Sequence, residues 1–170
     1  MSLPKDQGML LLKKQLMELQ KKTVDGFSTG LIDDDSYYIW EVVISGPVGS
    51  YYEGGYFKAH LTFPEEYPQR PPKLKFISEM WHPNVGKDGF VSISILDEPS
   101  DDKLGYERAE ERWLPIHTVE NIMLCVINMI SEPNDASPAN ADAAKQFRED
   151  YDGEFKKQVQ RCVRLSQAKL

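Results

Sequence analysis

The stretch YYIWEVVISGPVGSYYEGGYFKAHLTF, residues 37–63, contains two strand-like runs separated by a glycine-rich segment. The runs YYIWEVVI and YFKAHLTF are dense in aromatic and β-branched residues, which favour β-strands. The intervening GPVGSYYEGG supplies the residues that tight turns require, so the stretch predicts two consecutive antiparallel strands. Alternation along the second run predicts a shared face formed by Tyr56, Lys58, His60 and Thr62. We therefore interpret His60 as a structural sheet residue rather than a ligand.

The residues on either side of this stretch extend the pattern into a sheet. From about Phe27 to Phe76 the chain consists of short, β-rich segments. FPEEYPQRPPKLKFI, residues 63–77, carries four prolines before its next strand-like run, which favours a stiff, extended connection. We predict an antiparallel meander of about four strands.

Helical patterns flank the predicted sheet. In GMLLLKKQLMELQKKT, an apolar stripe at helical spacing is formed by Met9, Leu12, Leu16 and Leu19. Later in the chain, Thr118 can cap a helix over VENIMLCVINMI, and the prolines of SEPNDASP end that helix. ANADAAKQFRED and GEFKKQVQRCVRLSQ predict two further helices, separated near Gly153. One helix, a sheet and then helices in blocks predict an α+β fold, in a single domain over residues 1–170.

Composition and charge argue against several functional classes. The formal net charge of −7 disfavours binding to nucleic acid. Apolar runs such as IMLCVINMI are too short to cross a bilayer, so we expect no membrane segment. Cys125 and Cys162 lack metal-type spacing, and we expect neither a metal site nor a cofactor. Cys125 lies in an apolar helical run, where a buried thiol is expected. A reducing compartment, cytoplasmic or nuclear, is the predicted location.

WHPNVGKDGFVSISIL, residues 81–96, carries the candidate reactive site. Pro83 disfavours helical backbone at His82, so Asn84 can turn its side-chain amide towards a neighbouring segment. Such an amide suits a carbonyl oxygen that gains negative charge during acyl transfer, where one donor contributes about 2.7–4 kcal/mol to the transition state. Ser92 follows after a turn that contains glycine. Taken alone, the spacing favours a simpler alternative, a polar turn with a hydrogen-bonded asparagine.

The combination of motifs along the chain is more specific: in order they are YPQRPPKLKF, WHPN, Ser92 ten residues after His82, RWLPIHTVENIM and SEPNDASPAN. From about Leu10 to Ser166 the chain resembles the ubiquitin-conjugating enzymes. The resemblance implies an N-terminal helix, a four-stranded antiparallel meander and C-terminal helices. It also implies an enzyme that accepts ubiquitin from the activating enzyme as a thioester and transfers it to lysine with a ligase. DEPSDDKLGYERAEERW is similar to the acidic insertion of one subgroup.

The resemblance also implies roles at the site. Asn84 matches the family's asparagine, which stabilises the oxyanion or orders the adjacent loop, while His82 and Pro83 brace the turn. Ser92 stands at the position of the family's catalytic cysteine. A thiol with a pKa of about 8.5 is partly ionised near neutrality, whereas a serine hydroxyl stays protonated unless a positioned base removes its proton. We therefore expect this chain to be nearly inactive as a carrier.

Two explanations for Ser92 remain open. The serine is either an engineered replacement of cysteine or the mark of a naturally inactive variant that binds ubiquitin or a partner. The intact His-Pro-Asn triplet favours replacement, because an oxyanion donor serves no purpose without an acyl acceptor. A serine hydrolase is a third class, but no Gly-x-Ser-x-Gly elbow surrounds Ser92.

The resemblance finally implies contact surfaces for ubiquitin, the ubiquitin-activating enzyme and ubiquitin ligases. Residues 97–112 contain seven acidic and three basic residues, and their charge is expected to attract the incoming lysine. The acceptor-lysine environment is assigned to Asp101, Asp102, Glu107 and Ser137. Contact with the activating enzyme is assigned to Lys13 and Lys14. Two ligase-binding loops are assigned to Pro68, Gln69, Leu114 and Pro115. From charge alone, solvated surfaces are the alternative for the acidic loop and the lysines.

Overall fold

Four antiparallel strands form one sheet in the order β1-β2-β3-β4, with one helix before the sheet and three after it. The computed structural model describes residues 3–98 and 112–169. The strands are β1 (Phe27–Leu31), β2 (Ile39–Ser45), β3 (Tyr56–Thr62) and β4 (Lys73–Phe76). The helices are α1 (Leu3–Lys21), α2 (Val119–Ser131), α3 (Ala141–Glu149) and α4 (Lys156–Ala168). The predicted α+β fold and four-stranded meander are confirmed.

The register of β2 against β3 produces the core face of the sheet. Ile44 lies opposite Phe57 and Trp40 opposite Leu61, and all four side chains are fully buried. The other face of β3 carries the exposed Lys58 and the half-buried His60, as the alternation predicted. This face of the sheet therefore packs against the core. The loops that follow the strands build the site.

Helix α1 buries a different stripe from the predicted one. Leu12 and Leu16 are buried, but Met9 is 40% exposed, so its assignment to the core stripe was wrong. Gln15 is buried because both ends of its amide are hydrogen-bonded: its Nε2 donates to the Tyr67 hydroxyl at 3.0 Å, and its Oε1 accepts from the backbone N–H of Val119 at 2.8 Å. A polar side chain can occupy a core position when its donors and acceptor are satisfied.

Helix α2 begins with the predicted cap. The Thr118 hydroxyl accepts from the N–H of Asn121 at 3.1 Å, and the Asn121 side chain accepts from the N–H of Thr118 at 3.0 Å. The buried face of α2 holds Ile122, Met123, Val126, Met129 and Ile130. Cys125 lies on the other face and is exposed, which corrects the expectation of a buried thiol. An apolar run alone does not give the rotation of a helix about its axis.

The connection between α3 and α4 differs from the predicted break at Gly153. Residues Tyr151–Phe155 form one π-helical turn that joins the two helices. The Asp150 carboxylate accepts from the N–H of Glu154 at 2.9 Å and caps this turn. A Cβ atom at position 153 would collide with that carboxylate, so the glycine serves close packing rather than helix termination. Across the described ranges, none of the helices is long and apolar enough to span a bilayer.

Candidate functional site

A compact turn brings Asn84 and Ser92 together. The N–H of Val85 donates to the carbonyl of His82 at 3.1 Å, and the N–H of Ser92 donates to the carbonyl of Asn84 at 2.9 Å. Between them, Gly89 has a φ of +93° and approaches the carbonyl of Phe76 closely, so a side chain there would be strained. The turn thus places the exposed Ser92 directly beside the buried Asn84.

The side chain of Asn84 is fixed by the loop that follows α2. Its Oδ1 accepts from the backbone N–H of Asn134 at 2.9 Å, and its Nδ2 donates to the Asn134 carbonyl at 2.7 Å. These two bonds define which end of the amide is oxygen, because the Asn134 N–H requires an acceptor. An amide nitrogen carries two hydrogens, so one N–H remains for a second acceptor. Asn84 can therefore order the loop and donate a hydrogen bond at the same time.

His82 and Pro83 tie the turn to the helices. The His82 ring is fully buried; its Nε2 bonds the carbonyl of Met129 at 2.8 Å, and its Nδ1 accepts from the N–H of Asn84 at 2.9 Å. Burial lowers the pKa of His82 to about 4, so the ring is neutral at pH 7. The Pro83 carbonyl accepts from the N–H groups of Ala139 and Asn140. In this geometry neither nitrogen of His82 can take a proton from Ser92.

The one Gly-x-Ser-x-Gly match within the described residues does not form a serine-hydrolase elbow. The stretch GFSTG, Gly26–Gly30, matches the Gly-x-Ser-x-Gly pattern, but Phe27 to Gly30 lie within β1. A nucleophile elbow requires a sharp turn from a strand into a helix, and an extended strand does not present Ser28 in that way.

Ser92 lies on the wall of a surface groove of about 310 Å³. The walls of this Ser92 groove include Asn84, Ser92, Asp97, Cys125, Glu132 and Ser137. The predicted acceptor-side residue Ser137 is exposed there, on the same loop as Asn134. Three other predicted residues of that environment, Asp101, Asp102 and Glu107, lie outside the described residues.

The two predicted ligase-binding loops lie side by side. The indole N–H of Trp113 donates to the carbonyl of Pro68 at 2.8 Å and joins them. Gln69 and Pro115 are exposed, and Leu114 is half-buried. The neighbouring Ile116 is 80% exposed and was not among the predicted contact residues. Its position directly after Leu114 and Pro115 was the signal that would have identified it.

The lysines assigned to the activating enzyme form part of a separate surface. Lys13 and Lys14 are both exposed on α1. Met17 is also exposed, at 59%, and follows Lys13 by one helical turn. This surface is therefore both basic and apolar, which the lysine pattern alone did not predict.

Three further residues around Ser92 were not predicted from the sequence. Asn134 holds the amide of Asn84, and Cys125 and Glu132 line the Ser92 groove. The groove draws these residues from α2 and from the loop that follows it, far from Ser92 in the sequence. The stretch SEPNDASPAN, which contains Glu132 and Asn134, was used as the end of the helix and as one of the family motifs, with no role given to either residue.

The sequence of this chain is similar to those of known proteins of one enzyme family. A family model described as "Ubiquitin-conjugating enzyme" matches residues 11–163. The chain is 62% identical over 162 residues to the "Probable ubiquitin-conjugating enzyme E2 7" of Caenorhabditis elegans, covering 95% of this chain and 98% of that one. It is 58% identical over 161 residues to the "Ubiquitin-conjugating enzyme E2 7" of Arabidopsis thaliana, covering 95% and 96%.

A solved structure is similar as well. The human ubiquitin-conjugating enzyme E2 G1 matches with a TM-score of 0.67 and 62% sequence identity. The match covers 74% of this chain and 96% of that one. The family match, the sequence identity to the relatives and the common fold all indicate the same family. The chain belongs to the ubiquitin-conjugating enzyme family.

Proposed function

We propose that position 92 of this scaffold carries ubiquitin, accepted from the activating enzyme and passed to a lysine with the help of a ligase. The observation that supports this proposal best is the hydrogen bond from the Ser92 N–H to the Asn84 carbonyl. It sets position 92 beside an amide that is itself anchored to Asn134. A reactive carbonyl at position 92 would then lie within reach of a preorganised donor.

The chemistry proceeds in two acyl transfers. A nucleophile at position 92 attacks the thioester carbonyl of ubiquitin on the activating enzyme, and the thiol of that enzyme leaves. A lysine amine then attacks the new carbonyl, the amide bond forms, and the group at position 92 leaves as the amine loses its proton. Asn84 contributes by stabilising the negative oxygen in each step or by holding the Asn134 loop in place.

Ser92 limits both transfers. Its hydroxyl is not ionised near neutrality, and both ring nitrogens of His82 are bonded to backbone groups, so this histidine cannot remove its proton. An ester is also a poorer acyl donor to amines than a thioester. We infer that the serine replaces a cysteine by design and that this chain is nearly inactive. The alternative is a naturally inactive member of the family that binds ubiquitin or another carrier, and the codon for position 92 in the encoding gene distinguishes the two.

The test is to restore the thiol. With activating enzyme, ATP and ubiquitin, Ser92→Cys is expected to form an adduct that thiol reductant cleaves. Cys125 lies in the same groove, so the experiment is done in a Cys125→Ser background to exclude an adduct there. The unchanged Ser92 chain is expected to form at most a slow adduct that survives reductant. If Ser92→Cys forms no adduct while a known carrier is loaded normally, the proposal is wrong.

We infer contact surfaces from the same family assignment. Lys13 and Lys14 contact the activating enzyme, and the two loops joined by Trp113 receive the ligase. The loop residues concerned are Pro68, Gln69, Leu114 and Pro115. The resemblance implies an aromatic residue at this position in many members of the family, and Gln69 departs from that pattern. The protein works in the cytoplasm or nucleus, where thiols stay reduced.

The acidic insertion, residues 97–112, is proposed to guide the acceptor. Its carboxylates, including Asp101, Asp102 and Glu107, attract the ammonium group of a lysine and help to orient an acceptor ubiquitin. Ser137 stands where several relatives carry an acidic residue, which leaves this task to the insertion. We infer that the insertion favours the building of ubiquitin chains.

A further inference from the structure

A tyrosine of the loop between β2 and β3 packs behind the His-Pro-Asn turn. Tyr52 is 3% exposed, and its ring centroid lies 5.9 Å from that of His82. Its hydroxyl donates to the carbonyl of Trp81, the residue directly before His82, at 2.5 Å. Burial raises the pKa of Tyr52 well above its ordinary value, so the phenol keeps its proton and remains a donor. Tyr52 therefore contacts the turn at two points, a backbone carbonyl and the histidine ring.

The backbone of the same loop fixes the place of Tyr52. The N–H of Gly55 donates to the Tyr52 carbonyl at 3.0 Å, and the N–H of Gly46 donates to the Gly55 carbonyl at 2.9 Å. A Cβ atom at position 46 would lie 1.7 Å from the Tyr52 carbonyl oxygen. Glycine at this position lets the two ends of the loop close around that carbonyl. The Tyr52 side chain thus projects from a closely packed base.

The contacts of Tyr52 lead to both groups that hold Asn84. The His82 ring, against which Tyr52 packs, accepts the N–H of Asn84, while the Asn84 side chain bonds to Asn134. On that second side, Tyr52 and Pro133 line one cavity of about 190 Å³, and Pro133 directly precedes Asn134. Tyr52 therefore lies next to the supports of Asn84 on the turn and on the loop after α2.

The neighbouring Tyr51 is bonded to a different part of the molecule. Its hydroxyl donates to the Asp152 carboxylate, and its ring stacks on that of Tyr151 with the centroids 4.7 Å apart. Both partners belong to the π-helical turn between α3 and α4. The hydrogen bond to Asp152 raises the pKa of Tyr51 to about 12. The two tyrosines thus carry the same hydroxyl, but that of Tyr52 alone is bonded next to the His-Pro-Asn turn.

We propose that Tyr52 is a positioning residue for acyl transfer, acting through His82 on the side-chain amide of Asn84. The inference rests on the proposed function, because Asn84 is the donor in that reaction. A donor stabilises an oxyanion only when it is aimed at the oxygen, so a small displacement of the amide slows the reaction. Without its hydroxyl, Tyr52 no longer holds the Trp81 carbonyl, and the turn is free to relax. Tyr52 has no part in the bond-making step itself.

The first test measures discharge of the loaded protein. Ser92→Cys, in the Cys125→Ser background, is loaded with ubiquitin, freed from activating enzyme and ATP, and discharged by lysine. Removal of an oxyanion donor costs about 10²–10³-fold in rate, so Asn84→Ala gives the largest effect expected. Tyr52→Phe keeps the ring and displaces the amide only in part, so we expect the second-order rate constant to fall about three- to tenfold.

A double-mutant cycle separates positioning of Asn84 from a general structural effect. Because Tyr52 acts through the Asn84 amide, Tyr52→Phe is expected to lower the rate no further once Asn84→Ala has removed that amide. Its loss of stability in urea unfolding is expected to persist in both backgrounds. Rates are compared under conditions in which urea unfolding shows all four proteins to be folded. A purely structural role would slow discharge by the same factor with and without the amide.

Tyr51→Phe is the matched control, because it removes the same hydroxyl from the next residue of the loop. Its hydrogen bond to Asp152 is lost, and the rate of discharge is expected to stay the same. NMR provides a measurement that needs no thioester: in the Ser92 protein, Tyr52→Phe should shift the side-chain amide resonances of Asn84. Tyr51→Phe should leave those resonances in place.

Three results would overturn the inference while leaving the proposed function intact. The first is an unchanged discharge rate in Tyr52→Phe, and the second is an equal fall in rate with and without the Asn84 amide. The third is a set of Asn84 amide resonances that Tyr52→Phe does not move. If Ser92→Cys forms no thioester at all, the proposed function is wrong, and the role of Tyr52 in acyl transfer is wrong with it. The NMR comparison then still decides whether Tyr52 positions the amide.

Discussion

The His82 side chain belongs to the structural frame of the site. Its two ring nitrogens bond the Asn84 N–H and the Met129 carbonyl, and the ring is fully buried. Protonation would place a charge in the core and remove the acceptor for the Asn84 N–H, so the pKa falls to about 4. The histidine of the motif is thus explained by the support that it gives to Asn84.

This burial makes the stability of the fold depend on pH. The pKa of His82 is lower in the folded state, about 4, than in the unfolded state, about 6.5, so the unfolded chain binds the additional proton. Stability from the neutral ring is complete above about pH 6.5 and is lost as pH falls towards 4. Between pH 7 and pH 5 the free energy of unfolding is expected to fall by about 2 kcal/mol from this group alone.

Urea unfolding and NMR measure this effect. The imidazole resonances of His82 are expected not to titrate between pH 7 and pH 5. His82→Gln should be less stable at pH 7 but lose about 2 kcal/mol less than the parent between those two pH values. A His82 resonance that titrates near pH 6.5 would contradict the argument.

Some residues of the site could be predicted from the sequence, and others could not. The order of motifs placed Ser92 and Asn84 together because a turn of few residues links them, and the structure has that turn. Sequence could not supply Asn134, which holds Asn84 from 50 positions away, nor Glu132 in the groove wall. Those contacts depend on how α2 packs against the turn, and that packing leaves no local pattern in the sequence.

At the level of elements, strands were easier to predict than the rotation of helices. Alternation along β3 assigns each side chain to one of two faces, and a single buried residue such as Phe57 then fixes the rest. A helix has a continuous range of rotations, so the spacing put Met9 in the core stripe and gave no sign that Gln15 is buried. The hydrogen bonds of Gln15 to Tyr67 and Val119 join distant parts of the chain, and no local pattern contains them.

The acidic insertion is an element with a separable role in the proposed reaction. Asp101→Asn, Asp102→Asn and Glu107→Gln, combined in the Ser92→Cys background, are expected to slow chain extension several-fold. Loading by the activating enzyme should be unchanged, because the proposed role of the insertion is to attract the acceptor. Formation of di-ubiquitin and of the thioester is measured in parallel on gels.

A control of equal charge tests whether position matters. Asp34→Asn, Asp35→Asn and Glu149→Gln remove the same three charges from exposed positions that do not line the Ser92 groove. This triple substitution should leave both chain extension and loading unchanged. An equal loss of both steps in the insertion variant would instead indicate damage to the fold.

At the scale of the whole molecule, the surface assigned to the activating enzyme and the Ser92 groove belong to different elements. Lys14 is on α1, whereas the groove is built from the 82–97 segment, α2 and the loop after it. Gln15, next to Lys14, anchors α1 to Tyr67 and to the first N–H of α2. The helix is therefore fixed to the core while its outer face stays open for a partner. A substitution on that outer face should affect encounter with the activating enzyme without disturbing the groove.

Charge reversal at Lys14 tests this separation. In the Ser92→Cys background, Lys14→Glu is expected to slow loading about threefold or more at subsaturating activating enzyme, because charge at an interface rim acts mainly on association. Saturating activating enzyme should restore the rate, and discharge of the preloaded protein to hydroxylamine should not change. Lys157→Glu reverses an exposed charge on α4 and is expected to load normally. If Lys14→Glu and Lys157→Glu load alike, α1 is not the surface that the activating enzyme contacts, because a partner that approaches α1 must sense a reversed charge there.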